Sequence, residues 1–181
     1  MENQYLHEVA ITAIILRPAK DEPGKFEYLI TRRAASKKRF PGKWTVPGGK
    51  METNDYLALP KDTEFYWYNV LERTLKREVK EEVGLDVANV EYLTSLATVH
   101  EDPPSLNGSG RASGTPSLVI SCIAEYVSGD VKLQEGETDA FEWVTTEQSK
   151  NYDLLDGIYE EFIMTDKLKE GIREEWKRAE R

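Results

Sequence analysis

Cysteine is nearly missing from this chain. Cys122 is the one example among 181 residues, which excludes an intramolecular disulfide and any multi-cysteine zinc centre. It lies in the apolar run Ser117 to Tyr126 and reads as a small buried hydrophobe. Histidine is almost as scarce, at two residues, and His7 stands at a strand start with no second histidine near it. No run approaches the ~18 apolar residues of a membrane span, and the N-terminus carries no charged-then-apolar leader pattern. Basic charge is short as well: 24 Lys and Arg against 33 Asp and Glu leave a net charge of −9, which argues against a general nucleic-acid or anionic-membrane surface. Repeats and low-complexity tracts are absent. The expectation is a cytoplasmic protein whose 181 residues, long enough for one well-buried core and short for two, form a single domain over 1–181.

One local shortage runs the other way. Between Tyr28 and Met51 there is no acidic residue, while Arg32, Arg33, Lys37, Lys38, Arg39, Lys43 and Lys50 supply seven positive charges. The acids collect instead in Arg77-Glu78-Val79-Lys80-Glu81-Glu82-Val83-Gly84-Leu85. In a helix Glu78 faces Glu81 at i+3 and Glu82 at i+4, so three carboxylates share one side. Two full charges ~6 Å apart at an effective dielectric of ~20 repel by roughly 3 kcal/mol, whereas exposed helix pairs cost a few tenths. Burial decides which figure applies. On a wheel of about 100° per residue, Leu71, Leu75, Val79 and Val83 form the apolar stripe, and Arg73, Lys76, Arg77 and Lys80 the solvent face. Glu82 falls on the stripe, Glu78 at its border and Glu81 further out. Carboxylates at the edge of a buried face need a partner, and a hard divalent cation suits three of them. Arg77 reaches Glu81 at i+4. The bland alternative is a charged amphipathic helix with no chemistry.

The rest of the chain supplies a setting. His7 to Arg17 and Phe26 to Thr31 read as strands of a hairpin around the turn Ala19 to Lys25, the first nearly apolar throughout and so covered on both faces. Pro47-Gly48-Gly49 lets a backbone pass close to a ligand or cation, with Lys50 beside it. The aromatic run Tyr56 to Tyr68 either stacks a nucleobase or, at about twice the weight, anchors a loop to the core or to a second subunit. Asn69 with Glu72 predicts a capping box, and Gly84 a left-handed helix end. Val87 to His100 predicts a long, bent strand, 101–115 a loop with Glu101 and Asp102 as spare acids, Pro116 to Val127 an apolar strand, and Asp139 to Val144 the last strand with Trp143 buried. A helical segment starts at Thr146. A terminal amphipathic helix is predicted over about 158–179, with Phe162, Ile163, Leu168, Ile172 and Trp176 on one face, and it either packs on its own core or pairs two subunits as a homodimer.

These pieces resemble the Nudix hydrolase family, MutT-like proteins whose signature is Gly, five residues, Glu, seven residues, then Arg-Glu-aliphatic-x-Glu-Glu-x-Gly-aliphatic. Residues 77–85 match its second half at every specified position, and Gly49 matches its opening. Outside the box the likeness continues in Leu29-Ile30-Thr31-Arg32-Arg33-Ala34 and in Glu137 to Trp143. Two departures stand out: Asp55 replaces the first Glu, and 21 residues (56–76) separate it from Arg77 where the family has seven, an excess of 14. The resemblance implies an α/β fold, an α/β/α sandwich around a mixed sheet. It implies Mg²⁺ or Mn²⁺ held by Glu78, Glu81, Glu82 and the Gly49 carbonyl, with Arg77 orienting the carboxylates, and an outlying carboxylate, Glu137, as ligand or general base. Glu78 and Glu81 count with Arg77 and Glu137 among the catalytic set. Arg32, Arg33 and Lys50 are the implied phosphate or leaving-group contacts, and Asp55 supports the loop. The implied reaction is attack of water on a pyrophosphate bond of a nucleoside diphosphate linked to a further group, nucleoside triphosphates included. Isopentenyl-diphosphate isomerases share the fold and resemble the Pro41-Gly42-Lys43-Trp44-Thr45 segment, but use a cysteine near the glycine turn, far in sequence from Cys122. A non-catalytic nucleotide sensor is the third reading, motivated by Asp55 and the inserted residues.

Overall fold

The computed structural model describes residues 7–99 and 116–179; Glu101, Asp102 and the loop expected over 101–115 lie outside the described residues. Among these residues a seven-stranded mixed sheet runs in the order β3 (Trp44–Thr45), β2 (Phe26–Arg33), β1 (Glu8–Pro18), β6 (Pro116–Ser128), β5 (Asp86–Val99). β4 (Gly48–Lys50) pairs with β1, and β7 (Thr138–Val144) with β2. β1 is antiparallel to β2 and parallel to β6, with Ile11 opposite Ile120 and Ile14 opposite Ile123.

The apolar run of β1 has the expected cause. Ile11, Ala13 and Ile15 join one buried cluster and Ile14 and Leu16 another, because successive strand side chains face opposite ways. Helix α2 (Val70–Val83) covers the first face with Leu75, Val79 and Val83, each buried, and Leu71 packed at the edge. Helix α4 (Ile158–Lys169) covers the second, where the Phe162 ring stacks on Tyr28 at 4.5 Å and 7°. The Tyr28 hydroxyl donates to Asp166 at 2.5 Å. Each of these large side chains contributes roughly 1.5–3 kcal/mol by leaving water. The result is the α/β/α sandwich. β5 bends as expected, through three register shifts against β6. Trp143 is only half-buried, with the Arg17 guanidinium 3.8 Å from its ring centroid. No helix of the described residues is long and apolar enough to cross a membrane.

Two local expectations need correction. α2 begins after Asn69 as predicted, yet without a capping box: Asn69 adopts φ 55°, ψ 34° and its side chain caps nothing. At that left-handed conformation the amide is turned from the first helical N–H groups, and asparagine tolerates it better than most residues. The short helix α1 (Asn54–Leu57) was not visible in a stretch with no helical period, whereas α3 (Thr146–Ser149) starts where expected, with Thr145 and Gln148 forming a full capping box. Lastly, the terminal helix ends at Lys169 rather than near 179. Gly171 takes φ +84°, its N–H bonds the Leu168 carbonyl at 2.9 Å and the Ile172 N–H bonds the Lys167 carbonyl at 2.8 Å, a Schellman stop. Ile172 and Trp176 therefore never reach the helical face that the wheel assigned them.

Phe162→Ala should lower stability by about 3–5 kcal/mol, while Ile172→Ala, outside the helix and half-exposed, should stay within ~0.5 kcal/mol. Urea unfolding of both variants checks this; comparable losses would return Ile172 to a buried helical face.

Candidate active site

β4 is squeezed between β1 and α2, and its glycines are what let it pass. A Cβ on Gly48 would sit 2.3 Å from the Ile11 carbonyl oxygen and 2.8 Å from Thr12 Cα; one on Gly49 would meet the Glu78 carboxylate at 2.3 Å. The backbone thus lies directly against an α2 carboxylate, a contact that any side chain at Gly49 would displace.

From α2, Glu82 and Glu78 are half-buried and Glu81 is exposed, in the order the wheel predicts. Glu82 accepts a hydrogen bond from the Gly48 N–H at 3.0 Å. Burial, followed by the charges of Glu78 and Glu137, pushes its carboxyl up to about 7 against the relief from Gly48 and Arg33. Glu78 is also raised, again chiefly by burial, with Arg77 opposing.

Arg77 departs from its expected place on the solvent face. Its guanidinium turns inward because acceptors surround it: Nε donates to Asp55 Oδ1 at 2.5 Å, Nη2 to Asp55 Oδ2 and to the Lys50 carbonyl, each at 3.1 Å, and Nη1 to Glu81 at 3.0 Å. Nη1 also stands 3.0 Å from Glu78. Asp55 is buried, accepts from Thr74 Oγ1 at 2.7 Å and from the Glu52 N–H at 2.9 Å, and its carboxyl is held at about 2, first by Arg77. The aspartate at the Glu position keeps the loop tied to the helix across the 21 intervening residues.

Glu82 and Glu137 line one cavity of about 280 Å³ with Gly48, Arg33, Arg39 and Phe40. Glu137 is ion-paired with Lys37, and Arg33 Nε donates to the Arg39 carbonyl at 3.0 Å. Lys37, Arg39 and Phe40 were missed as site residues, although the acid-free stretch they belong to was the available signal. Two residues that line the same cavity, Thr31 and Thr138, carry buried hydroxyls with no partner among the described residues, an arrangement that costs about 1–3 kcal/mol per group. Other expected residues stand apart. Arg32 pairs with Asp139 at 2.6 Å and lies over Trp44. Lys50 points to the opposite side of β4 from Gly49 and reaches Glu8 at 2.8 Å; only its carbonyl joins the site. The aromatic run does not anchor to the core: Phe65, Tyr66 and Tyr68 are exposed, while Tyr56 and Trp67 pack edge to face and Trp67 Nε1 donates to the Leu59 carbonyl.

The NUDIX domain family model matches residues 6–164. This chain belongs to the NUDIX domain family. Members of that family are pyrophosphohydrolases, and hydrolysis of phosphoric anhydride bonds is the chemistry of this Nudix domain. The chain is 28% identical over 137 residues to a nucleoside triphosphatase NudI from Klebsiella pneumoniae, covering 70% of this chain and 79% of that protein. A 73-residue stretch is 37% identical to the NAD-capped RNA hydrolase NudC from Pseudomonas aeruginosa, 40% of this chain and 21% of the other. Among solved structures, the NUDIX domain of Shewanella oneidensis NrtR, complexed with ADP ribose, superposes with a TM-score of 0.60 at 16% identity, covering 92% of this chain and 88% of that one, a likeness of fold.

Divalent metal such as Mg²⁺ serves the Nudix family generally. The donors present here fit it in kind, since Glu78, Glu81, Glu82 and the Gly49 carbonyl are all hard oxygens and two of the carboxylates are half-buried. Their side chains do not converge as the sequence suggested: among the described residues no three acidic, histidine or cysteine groups are placed to hold an ion. Glu82 is turned to Gly48, and Glu78 and Glu81 to Arg77. Cys122 lies in the core of β6 with its thiol pushed up to about 11 by burial, so it offers no nucleophile or acid to this site.

Gly48→Ala should cost about 1–3 kcal/mol because backbone blocks the new methyl, whereas Gly49→Ala should leave the melting temperature nearly unchanged and displace the Glu78 carboxylate. Thermal unfolding and the crystal structure of Gly49→Ala test the pair. For Asp55, a carboxyl lowered from 3.8 to about 2 contributes stability present above pH ~4 and lost as pH falls towards 2. Asp55→Asn should therefore be about 2 kcal/mol less stable at pH 7, with the gap to wild type closing by pH 2 in urea titrations.

Proposed function

We propose that this protein cleaves a pyrophosphate bond in a nucleoside diphosphate linked to a further group, nucleoside triphosphates included, using Mg²⁺ or Mn²⁺. The observation that carries this reading is an excess of acid around one guanidinium. Asp55, Glu78 and Glu81 all touch Arg77, while Glu82 is left half-buried on a single N–H with its proton affinity raised. One arginine balances one of four carboxylates, and a cation supplies what is missing. Glu78, Glu81, Glu82 and the Gly49 carbonyl would hold it; when bound, a divalent ion neutralises charge building on the phosphate oxygens.

The chain's own groups do the rest. Arg77, tied to Asp55 and the Lys50 carbonyl, fixes where Glu78 and Glu81 stand. Arg33, on the cavity wall, provides a forked donor for phosphate oxygens. The proton of the attacking water goes to Glu81 or Glu137, the acids of the catalytic set whose side chains reach solvent, at 53% and 38% exposure. The kinship with NudI, a nucleoside triphosphatase, supports the substrate class.

Glu81→Gln and Glu82→Gln should each lower turnover at least ~100-fold with the fold intact. Phosphate released after phosphatase coupling, across nucleoside triphosphates, nucleotide sugars, dinucleoside polyphosphates and coenzyme derivatives, reads the rate; circular dichroism reads the fold. Independently, Mn²⁺ should raise the melting temperature of wild type and not of Glu82→Gln. Full activity in both variants, or equal stabilisation by Mn²⁺, eliminates the metal assignment.

A further inference from the structure

β5 is a long strand at the edge of the sheet. Among the described residues it pairs with β6 alone, and apart from the Tyr92 carbonyl, which accepts from Arg173 Nη2 at 3.2 Å, no bond from another element reaches its backbone. An open edge is a template for another strand, and proteins blunt it with charge, proline, bulges or a covering segment. At the other end of the strand order β3 is covered: the Trp44 N–H donates to the Asp153 carbonyl at 3.0 Å, and the Trp44 carbonyl accepts from the Leu155 N–H at 2.8 Å. β7 carries Asp139 and Glu142. On β5 such devices stop part-way. Its register shifts fall between Asp86 and Thr94, whereas Thr94 to Val99 runs regularly against Ser121 to Pro116. From Tyr92 to Val99 there is no charged residue, proline or glycine. Tyr92, Leu96 and Val99 are 44–51% exposed, and Leu118, opposite Ala97 on β6, is exposed too.

We propose that the Tyr92–Val99 edge pairs with the same edge of a second copy of this chain, antiparallel about a two-fold axis normal to the sheet at Ser95 or Leu96. Charge selects both the occupant and the register. A chain of net charge −9 repels its own copy, so a self-contact needs a stretch free of charge. About that axis each residue meets one equally far on the other side, and the uncharged run lies on itself. Glu91 then reaches no further than the second copy's Val99, and Asp86 falls past the strand end. An axis at Glu91 would instead set two carboxylates opposite each other. Eight strand residues and Leu118 on each side are few beside the ~20–30 of a standard interface, so the association is of micromolar strength. Both candidate active sites stay open, because β4 sits on β1, two strands away from β5.

Sedimentation equilibrium of the wild-type chain from ~1 to ~200 µM should show the mass rising from 20.7 kDa towards twice that value and no further. Leu96→Glu brings like charges beside the axis and should weaken association at least ~10-fold, with circular dichroism unchanged. Ala97→Glu should do the same, and it carries the test if Leu96→Glu misfolds. A second exposed apolar group, Phe65 and Tyr66, serves as the control: Phe65→Ser with Tyr66→Ser should leave the dimer intact. Residues facing each other across an antiparallel pair have Cα atoms about 4.5–5.5 Å apart, within disulfide reach. Ser95→Cys or Leu96→Cys should therefore cross-link to its own copy on mild oxidation, and Asn89→Cys should not. A wild type that stays at 20.7 kDa throughout, or species larger than a dimer, would overturn the assignment. So would association that survives Leu96→Glu and Ala97→Glu but is lost in the Phe65 and Tyr66 variant, or cross-linking at 89 and at neither 95 nor 96. None of these readouts needs turnover, so this pairing and the hydrolase reading stand or fall separately.

Discussion

The contact between Asp55 and Arg77 is the constraint on which the candidate site depends. A fork of two donors on one buried carboxylate is among the stronger polar contacts a protein makes. Here it joins the end of the glycine turn to the middle of α2. The same guanidinium holds the Lys50 carbonyl, Glu78 and Glu81, so the position of β4 and the orientation of two carboxylates follow from one side chain. Were Asp55 absent, Arg77 would retain only acidic neighbours expected to bind the cation and would compete with it. With Asp55 present, the arginine has an anchor of its own and can give up Glu78 and Glu81.

Sheet and helices place that contact. β1 buries both faces, one under α2 and one under α4, so it cannot shift relative to either without opening a core. β4 hydrogen-bonds to β1 and touches Glu78, so the distance between the glycine turn and the acids is set by the packing of Ile11, Leu75 and Val79 beneath them. The rigidity of the site is therefore borrowed from the apolar core. The raised proton affinity of Glu82 is the electrostatic trace of the same arrangement, since a carboxylate that close to the core is short of solvent.

The parts of this structure that follow from period were legible in the sequence. A repeat of four gave the α2 stripe and the burial order Glu82, Glu78, Glu81; a continuous apolar run gave the central strand. What period could not show was where long side chains end. A wheel places the Cβ of Arg77 outward, but the long flexible stem beyond it lets the guanidinium fold back to Asp55. Thr31 and Thr138 belong to strands that were anticipated, yet alternation does not encode whether a buried hydroxyl finds a partner among the described residues. The overlong terminal helix has another cause: Ile172 and Trp176 continue an apolar spacing that Gly171 has already interrupted, and a left-handed glycine ends a helix whatever spacing follows it.

The inserted residues show which effect prevails when a signature is stretched. Lengthening a loop from seven to 21 residues adds only about 1 kcal/mol of closure entropy, because the cost grows with the logarithm of length. The Asp55 contact contributes about 2 kcal/mol at neutral pH by its lowered proton affinity. The loop adds ties of its own at the base, Asp62 to Arg73 at 3.1 Å and Tyr56 to Trp67 edge to face, so the segment carrying Phe65 and Tyr66 folds out from a closed neck. Closure at Asp55 thus outweighs the extra length, and Glu78 lies against Gly49 although the spacing between the two halves of the signature has tripled.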